Sequence, residues 1–400
     1  MQTQITPDGS RILAEAEQAL RACVHCGFCN AVCPTYQLLG DEADGPRGRI
    51  YLIKGMLEGN VAPAAARPHL DRCLTCRACE ALCPSEVPYG RLLETGRARV
   101  EASRPTWDRL SRNMIKAVFP VRRLVAVFWG LGRRFRMILP SRLRRILGTA
   151  PAAAPMPGTG TRQALLFTGC VQASARPSIN QAAAKVLGHL GWNIVPDRGG
   201  CCGALDQHLT DPEQARARMR RNIDAWWPLV AEGLEQIVVT ASGCAVTLRE
   251  YAHHLREDSV YSARAQAIAD RVRDISECLP ASALQALPLK TDTRRYALHR
   301  PCTLEFPVRL GPTLVTLLGS AGFKLAPETV DLACCGSAGS YALLQPGLAD
   351  QLRTRKLASL TVHTPDAILT ANIGCLLHLQ AATSLPVRHW IEALAERLPD

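Results

Sequence analysis

The sequence predicts an α+β multidomain chain: a small, mostly helical N-terminal domain dense in cysteine, followed by two tandem copies of one α/β unit. Three observations predict it. Two runs, CVHCGFCNAVCP at 23–34 and CLTCRACEALCP at 73–84, repeat one cysteine spacing that ends on proline. Further on, Cys170 to Cys302 is 132 residues, Cys201 to Cys334 is 133 and Cys244 to Cys375 is 131, the constancy of a tandem duplication. Between these parts lies a Pro, Ala and Gly stretch, APAAAPMPGTGT at 150–161, with no means of packing.

With 400 residues, 47% of them apolar, the chain can bury real cores and suggests two or three domains. Seventeen cysteines mean either a secreted disulfide scaffold or bound metal. The start, MQTQITPDGSRILAEAEQAL, has no basic region followed by an apolar run, so no secretory signal is read and a reducing compartment is expected. Thiols kept reduced point to metal.

Residues 1–103 carry both cysteine runs, joined by YLIKGMLEGN, in which Tyr51, Ile53, Met56 and Leu57 recur at helical spacing. Residues 104–148 hold twelve Lys and Arg against Asp108 alone, so +11 of the net +12 sits there. Their mixture with Phe, Trp and long aliphatics reads as a membrane-surface helix rather than a nucleic-acid site, which would favour base-stacking aromatics or a recognition fold. No nucleic-acid partner is expected. The longest uncharged run there, Leu124 to Gly132, is nine residues, far below the ~20 that a membrane span needs.

In the repeat, RQALLFTGC (162–170), WNIVPDRGGCCG and LEQIVVTASGC (234–244) return as RYALHRPC (295–302), FKLAPETVDLACCG and DAILTANIGC (366–375). Each copy sets its cysteines just past the ends of apolar strands, where open α/β sheets place ligands. The expected domains are therefore 1–103, a basic segment and linker at 104–161, a first cysteine-rich α/β domain at 162–285 and a second at 290–400.

The two N-terminal runs match C-x-x-C-x-x-C-x-x-x-C-P, the pattern of proteins that hold two cubane [4Fe-4S] clusters. Thiols three residues apart on a tight loop reach three irons of one cube, and the fourth cysteine, one helical turn on, faces the neighbouring cube. On that crossed scheme one cluster takes Cys23, Cys26, Cys29 and Cys83, and the other takes Cys73, Cys76, Cys79 and Cys33. A pair of zinc sites is the competing reading, although zinc motifs rarely put four thiols within eleven residues. His25, between two of the thiols, is either a donor to a sulfide or a solvent-facing loop residue.

Copy one of the repeat offers Cys170, Cys201, Cys202 and Cys244; copy two offers Cys302, Cys334, Cys335 and Cys375. Adjacent thiols with glycine behind them can face one metal while the glycine admits close backbone approach; they can also form a redox disulfide or be buried apolar residues. Cys278 has no counterpart in the other copy and reads as a spare, partly buried thiol.

Taken together, the two cysteine runs, the DGPRGRIYLIKG that joins them and the closing CCGSAGSYALLQP and ILTANIGCLLHLQ resemble the iron-sulfur subunits of glycolate oxidase over essentially the whole chain, the tail PVRHWIEALAERL included. Iron-sulfur subunits of anaerobic glycerol-3-phosphate dehydrogenase and of lactate utilisation complexes are similar in layout, and one component of heterodisulfide reductase carries the same CCG repeat. In that last protein each CCG motif ends C-x-x-C and holds a non-cubane cluster, whereas here the ends read CAVT and CLLH, each one thiol short. His378 stands where copy two lacks it.

The resemblance implies two [4Fe-4S] clusters in the N-terminal domain and further iron-sulfur clusters in the CCG domains. It implies FAD-containing glycolate oxidase subunits as partners and single electrons passed toward a membrane quinone as glycolate becomes glyoxylate. No Gly-rich turn between a strand and a helix is present for a flavin or nicotinamide, and a hydride acceptor must come from elsewhere. The expected role is thus electron transfer, with the isolated chain inactive on glycolate and no catalytic residue of its own. The expected location is cytoplasmic, peripheral to the inner membrane through residues 104–148.

Overall fold

The computed structural model describes residues 2–3, 11–147, 160, 162–285, 287–328 and 333–399. Apart from Gly160, the linker expected at 150–161 lies outside the described residues. The chain divides into two compact units, one of Met1–Met114, His208–Thr210 and Asp331–Lys356, the other of Ile115–Gln207, Asp211–Val330 and Leu357–Asp400.

The first unit is helical, as its sequence pattern demands. Helices Arg11–Ala22, Pro46–Leu57, Pro63–Asp71 and Tyr89–Val100 pack around Ala16, Leu20, Ile50, Ile53, Leu70, Leu92 and Leu93. Proline opens the second and third of these helices, where its missing N–H is no loss. The helix read from Tyr51, Ile53, Met56 and Leu57 is there, and Ile53 is its fully buried member. Two one-turn helices, Phe28–Ala31 and Ala78–Ala81, each follow directly on a cysteine loop.

The second unit contains two four-stranded sheets built alike. In copy one, β1 (Arg162–Phe167), β2 (Trp192–Val195), β3 (Gln236–Val239) and β4 (Val272–Asp274) pair in the order β2-β1-β3-β4, all parallel. In copy two, β5 (Arg295–His299), β6 (Lys324–Leu325), β7 (Ala367–Thr370) and β8 (Val387–His389) pair as β6-β5-β7-β8, again parallel. The central strands β3 and β7 are buried along nearly their whole length, which is why they read as continuous apolar runs. The fourth strands end alike as well. Asp274 and His389 each start a helical turn with a capping box, closed by Glu277 and Glu392 respectively.

The basic stretch is three α-helices, Thr106–Val118, Arg122–Arg134 and Ser141–Leu147, with a 3-10 turn at Arg136–Ile138 and breaks at Pro120 and Pro140. No helix among the described residues is long and apolar enough to cross a membrane.

Candidate metal centres

The two N-terminal cysteine loops are copies in backbone as well as in spacing. His25 and Gly27 in the first, Thr75 and Arg77 in the second, adopt positive φ of 57°, 82°, 53° and 59°. Three of these four are not glycine, a strained conformation that persists only where the surroundings demand it. The effect is to wind each Cys-x-x-Cys-x-x-Cys run into a tight cup, with the next helix turn carrying the third thiol.

One cavity is lined by Cys23, Cys26 and Cys29 from the first loop together with Cys79 and Cys83 from the second run. Burial pushes the Cys23 thiol up, and the neighbouring sulfurs of Cys83 and Cys26 push it further. Cys29 is raised to about 11 by burial and by Cys23. The other thiols group the opposite way: burial raises Cys79, with Cys76, Cys73 and Cys33 adding to it. Cys83 thus lies at the cavity of the first run's thiols, and Cys33 acts on Cys79 of the second. Free thiols crowded this way resist ionisation, and a cation among them would reverse that by taking the thiolates as ligands. The donor set suits iron-sulfur clusters: soft and all-thiolate, with Cys23, Cys33, Cys73 and Cys79 buried.

Two side chains beside these thiols are informative. His25 lines the first cavity against Tyr51, ring centroids 4.3 Å apart, and both its ring nitrogens are buried without a hydrogen-bond partner. His25 is half-buried on its loop, with its ring nitrogens covered rather than turned to solvent. Arg49, 1% exposed, was not anticipated. Its guanidinium lies 3.9 Å from Cys33 Sγ, 3.0 Å from Thr35 Oγ1, 2.8 Å from the His69 carbonyl and 3.6 Å from Asp44. Burial works against its charge, but Cys73, Tyr89, Cys33 and Asp44 outweigh that and hold it protonated.

The first unit also contains Cys334 and Cys335, both buried. Gly336 behind them has φ +89°, and a Cβ there would sit 2.6 Å from the Ala349 carbonyl, so only glycine fits. Tyr341, 6% exposed and with no partner for its hydroxyl, is raised by burial and then by Cys73, with Cys334 adding to it. Its phenol thus stands near a thiol of each group.

In the second unit, Cys170, Cys201, Cys202 and Cys244 come together from three strand ends. Cys170 Sγ is 3.6 Å from Cys201 Sγ. Hydrogen bonds from Cys170 and Cys202 push Cys201 well down, and Cys202 also bonds Cys244. The four thiols thus stand as one group past the strand ends, Cys201 and Cys202 buried and Cys170 and Cys244 half-buried. The backbone around them is held from behind: Asn222 donates to the Cys201 carbonyl at 2.9 Å, and Tyr251 to the Cys202 carbonyl at 2.9 Å. Asp197 accepts from Thr168, Trp226 and Arg122.

Cys302 opens the short helix Cys302–Glu305 and Cys375 lies in the first turn of Ile373–Gln380. The helix of Cys244 packs on the helix of Cys302, where the Ser242 and Thr303 hydroxyls bond at 2.7 Å. Cys278 is away from these groups, its thiol donating to Gln236 at 3.3 Å.

The charges at 104–148 prove less available than their number suggests. Arg104 and Arg112 are buried and share Asp71 and Asp108; Lys116 pairs with Asp211, and Arg122 with Asp197. These partners are distant in sequence, except Asp108. What stays exposed is Arg109 and, further on, Arg123, Arg134, Arg136, Arg142, Arg144 and Arg145, the latter among the exposed Phe128, Leu131, Phe135, Met137 and Ile138.

Comparison with known proteins accords with this geometry. A 4Fe-4S dicluster domain matches residues 19–87, and a cysteine-rich domain matches twice, at 164–249 and 296–380. The chain is 45% identical over 406 residues to the glycolate oxidase iron-sulfur subunit of Escherichia coli, covering 100% of this chain and 99% of that one. It is 30% identical to the probable glycolate oxidase iron-sulfur subunit of Bacillus subtilis, covering 91% and 89%. Lactate utilization protein A of Bacillus cytotoxicus is 25% identical and matches 58% of this chain. With its dicluster domain, its paired cysteine-rich copies and this likeness from end to end, the chain belongs to the glycolate oxidase iron-sulfur subunits, [4Fe-4S] proteins of an oxidoreductase complex.

Proposed function

We propose that this chain carries electrons one at a time from a flavoprotein that oxidises glycolate toward a membrane quinone. Four centres take part. The first is held by Cys23, Cys26, Cys29 and Cys83, and the second by Cys73, Cys76, Cys79 and Cys33. Cys170, Cys201, Cys202 and Cys244 hold the third; Cys302, Cys334, Cys335 and Cys375 hold the fourth. Iron-sulfur clusters supply single-electron storage at tunable potential. The chain's residues supply the thiolates, exclude water and set the local charge.

The observation that carries this reading is the exchange of the fourth cysteines, Cys83 lining the cavity of the first loop and Cys33 acting on Cys79. Crossed ligation brings two centres close together. Tyr341 near both Cys73 and Cys334, and the Ser242 to Thr303 bond between helices that carry Cys244 and Cys302, support short steps onward to the other two. A lactate substrate for the partner is less well supported, since that relative matches 58% of the chain.

Residues 104–148, or rather their exposed part from Arg123 to Arg145, suit an anionic surface: arginines fringe aromatic and aliphatic side chains that could enter the interface. A peripheral position at the inner membrane follows from that reading; the cysteine runs, linker and tandem repeat support domain limits at 1–103, 104–161, 162–285 and 290–400.

Ligation is tested by substitution in anaerobically loaded protein. Cys83→Ser is expected to alter the same electron paramagnetic resonance signal as Cys26→Ser, and Cys33→Ser the same signal as Cys76→Ser. Pairing of Cys83 with Cys76 instead would overturn the crossed scheme.

A further inference from the structure

We propose that His299 is an imidazole ligand of the fourth centre, beside the thiols of copy two. The inference rests on the reading that Cys302, Cys334, Cys335 and Cys375 hold a cluster. His299 ends β5, three residues before Cys302, and pairs in register with Thr370 at the end of β7. Its ring is 2% exposed, with Nδ1 2.9 Å from Thr370 Oγ1, and a ring nitrogen lies within 4.8 Å of Cys375 Sγ.

Copy one shows that the sheet does not need this pair. There the matching positions at the ends of β1 and β3 are Phe167 and Val239, paired in the same register and both buried in the apolar core. Copy two replaces an apolar pair by a buried imidazole and a hydroxyl, which costs stability unless the polar groups find partners. Thr370 satisfies Nδ1. A histidine that ligates a metal through one ring nitrogen has the other fixed by such a bond, which sets both tautomer and ring plane. With the Nδ1 proton given to Thr370, Nε2 carries the lone pair for iron.

The location also fits the donor count. The motif of copy two ends CLLH and lacks a thiol three residues after Cys375. His378 stands at that position in sequence, whereas the ring nitrogen within 4.8 Å of Cys375 Sγ belongs to His299. The nearby Asn372 amide donates to Cys375 Sγ at 3.6 Å, which helps to orient the sulfur. Replacing thiolate by neutral imidazole removes negative charge from a cluster and raises its potential. The two copies, alike in fold, would then hold centres of different potential, copy one all-thiolate and copy two mixed.

The test uses the full chain, loaded with iron and sulfide anaerobically, with natural or nitrogen-15 histidine. Pulsed electron paramagnetic resonance of the reduced protein should show a ligand-strength nitrogen coupling that changes with the label. That coupling should vanish in His299→Phe and persist in His25→Ala. His299→Cys, which keeps a donor in place, should retain iron, lose the coupling and lower the potential of that centre. Full iron loading without any label-sensitive coupling in the unsubstituted chain would overturn the ligand assignment and leave the four-centre reading intact. Iron content short by one centre, insensitive to Cys375→Ser, would overturn both.

Discussion

Replacing Arg49 by Met tests how the protein sets the potential of its second centre. The guanidinium is fully buried, 3.9 Å from Cys33 Sγ, and is the cation among groups that otherwise add negative charge: Cys33, Cys73 and Asp44. A unit charge about 6 Å from the middle of a cluster contributes roughly 3 kcal/mol at an effective dielectric of 20. For a one-electron couple that is about 120 mV. Arg49→Met should therefore make the second centre harder to reduce by up to ~120 mV, and leave the first centre nearly unmoved. Asp44 keeps Arg72 at 2.8 Å and His69 at 3.2 Å, so the cost in folding stability should fall below the ~3–5 kcal/mol of a wholly orphaned buried charge. Arg49→Lys should recover part of the potential. An anaerobic redox titration followed by electron paramagnetic resonance reads both centres at once. A change of less than ~20 mV in the variant, with iron retained, would refute the claim that this charge acts on the cluster.

Three further outcomes follow from the fold. His389 is fully buried, its Nε2–H donating to the Thr240 carbonyl at 2.8 Å and its Nδ1 accepting from Ile391 N–H at 3.2 Å, so desolvation holds its pKa at about 4. The unfolded chain takes up this proton near pH 6.5 and the folded one does not, so stability should fall between pH 7.5 and 5.5 by about 1.4 kcal/mol. Urea midpoints should show that slope flattened in His389→Gln, and an equal slope in both would exclude His389 as its source. Cys278→Ser should keep all its iron and lose about 1 kcal/mol of stability at most, whereas Cys26→Ser should lose cluster signal; equal iron loss would make Cys278 a ligand. The chain should float with anionic vesicles at low salt, each exposed arginine contributing about 1 kcal/mol, and be released by high salt or by Arg134→Glu with Arg136→Glu. Absence of flotation at low salt would move this surface to a protein partner.

Much of the site was legible because thiol spacing is a strong, local signal. The grouping of Cys23, Cys26 and Cys29, and of Cys73, Cys76 and Cys79, needs only a tight loop; the first three line one cavity, and Cys76 and Cys73 act on Cys79. The repeat in copies one and two was legible because its cysteines follow apolar strands β1, β3, β5 and β7. The strands β4 and β8 were not, since three residues, Val272–Asp274 and Val387–His389, are too short to show a period. Arg49 was missed for a different reason. An arginine between Gly48 and Ile50 reads as surface, and its burial depends on Asp44, Thr35 and the His69 carbonyl closing around it in three dimensions. Long-range pairing also hid the fate of the basic stretch, in which Asp71 takes Arg104 and Arg112 and Asp197 takes Arg122. His299 escaped notice because its meaning lies in comparison with Phe167 at the same strand end.

The central claim, that this chain conducts electrons and does not itself oxidise substrate, is tested most directly by following the broad iron-sulfur absorbance of the purified, loaded protein under anaerobic conditions as glycolate is added. No bleaching is expected from the chain alone, and rapid bleaching once the flavoprotein partner is supplied. Bleaching by glycolate without the partner would contradict it, because a substrate-oxidising site would then have to lie within this chain.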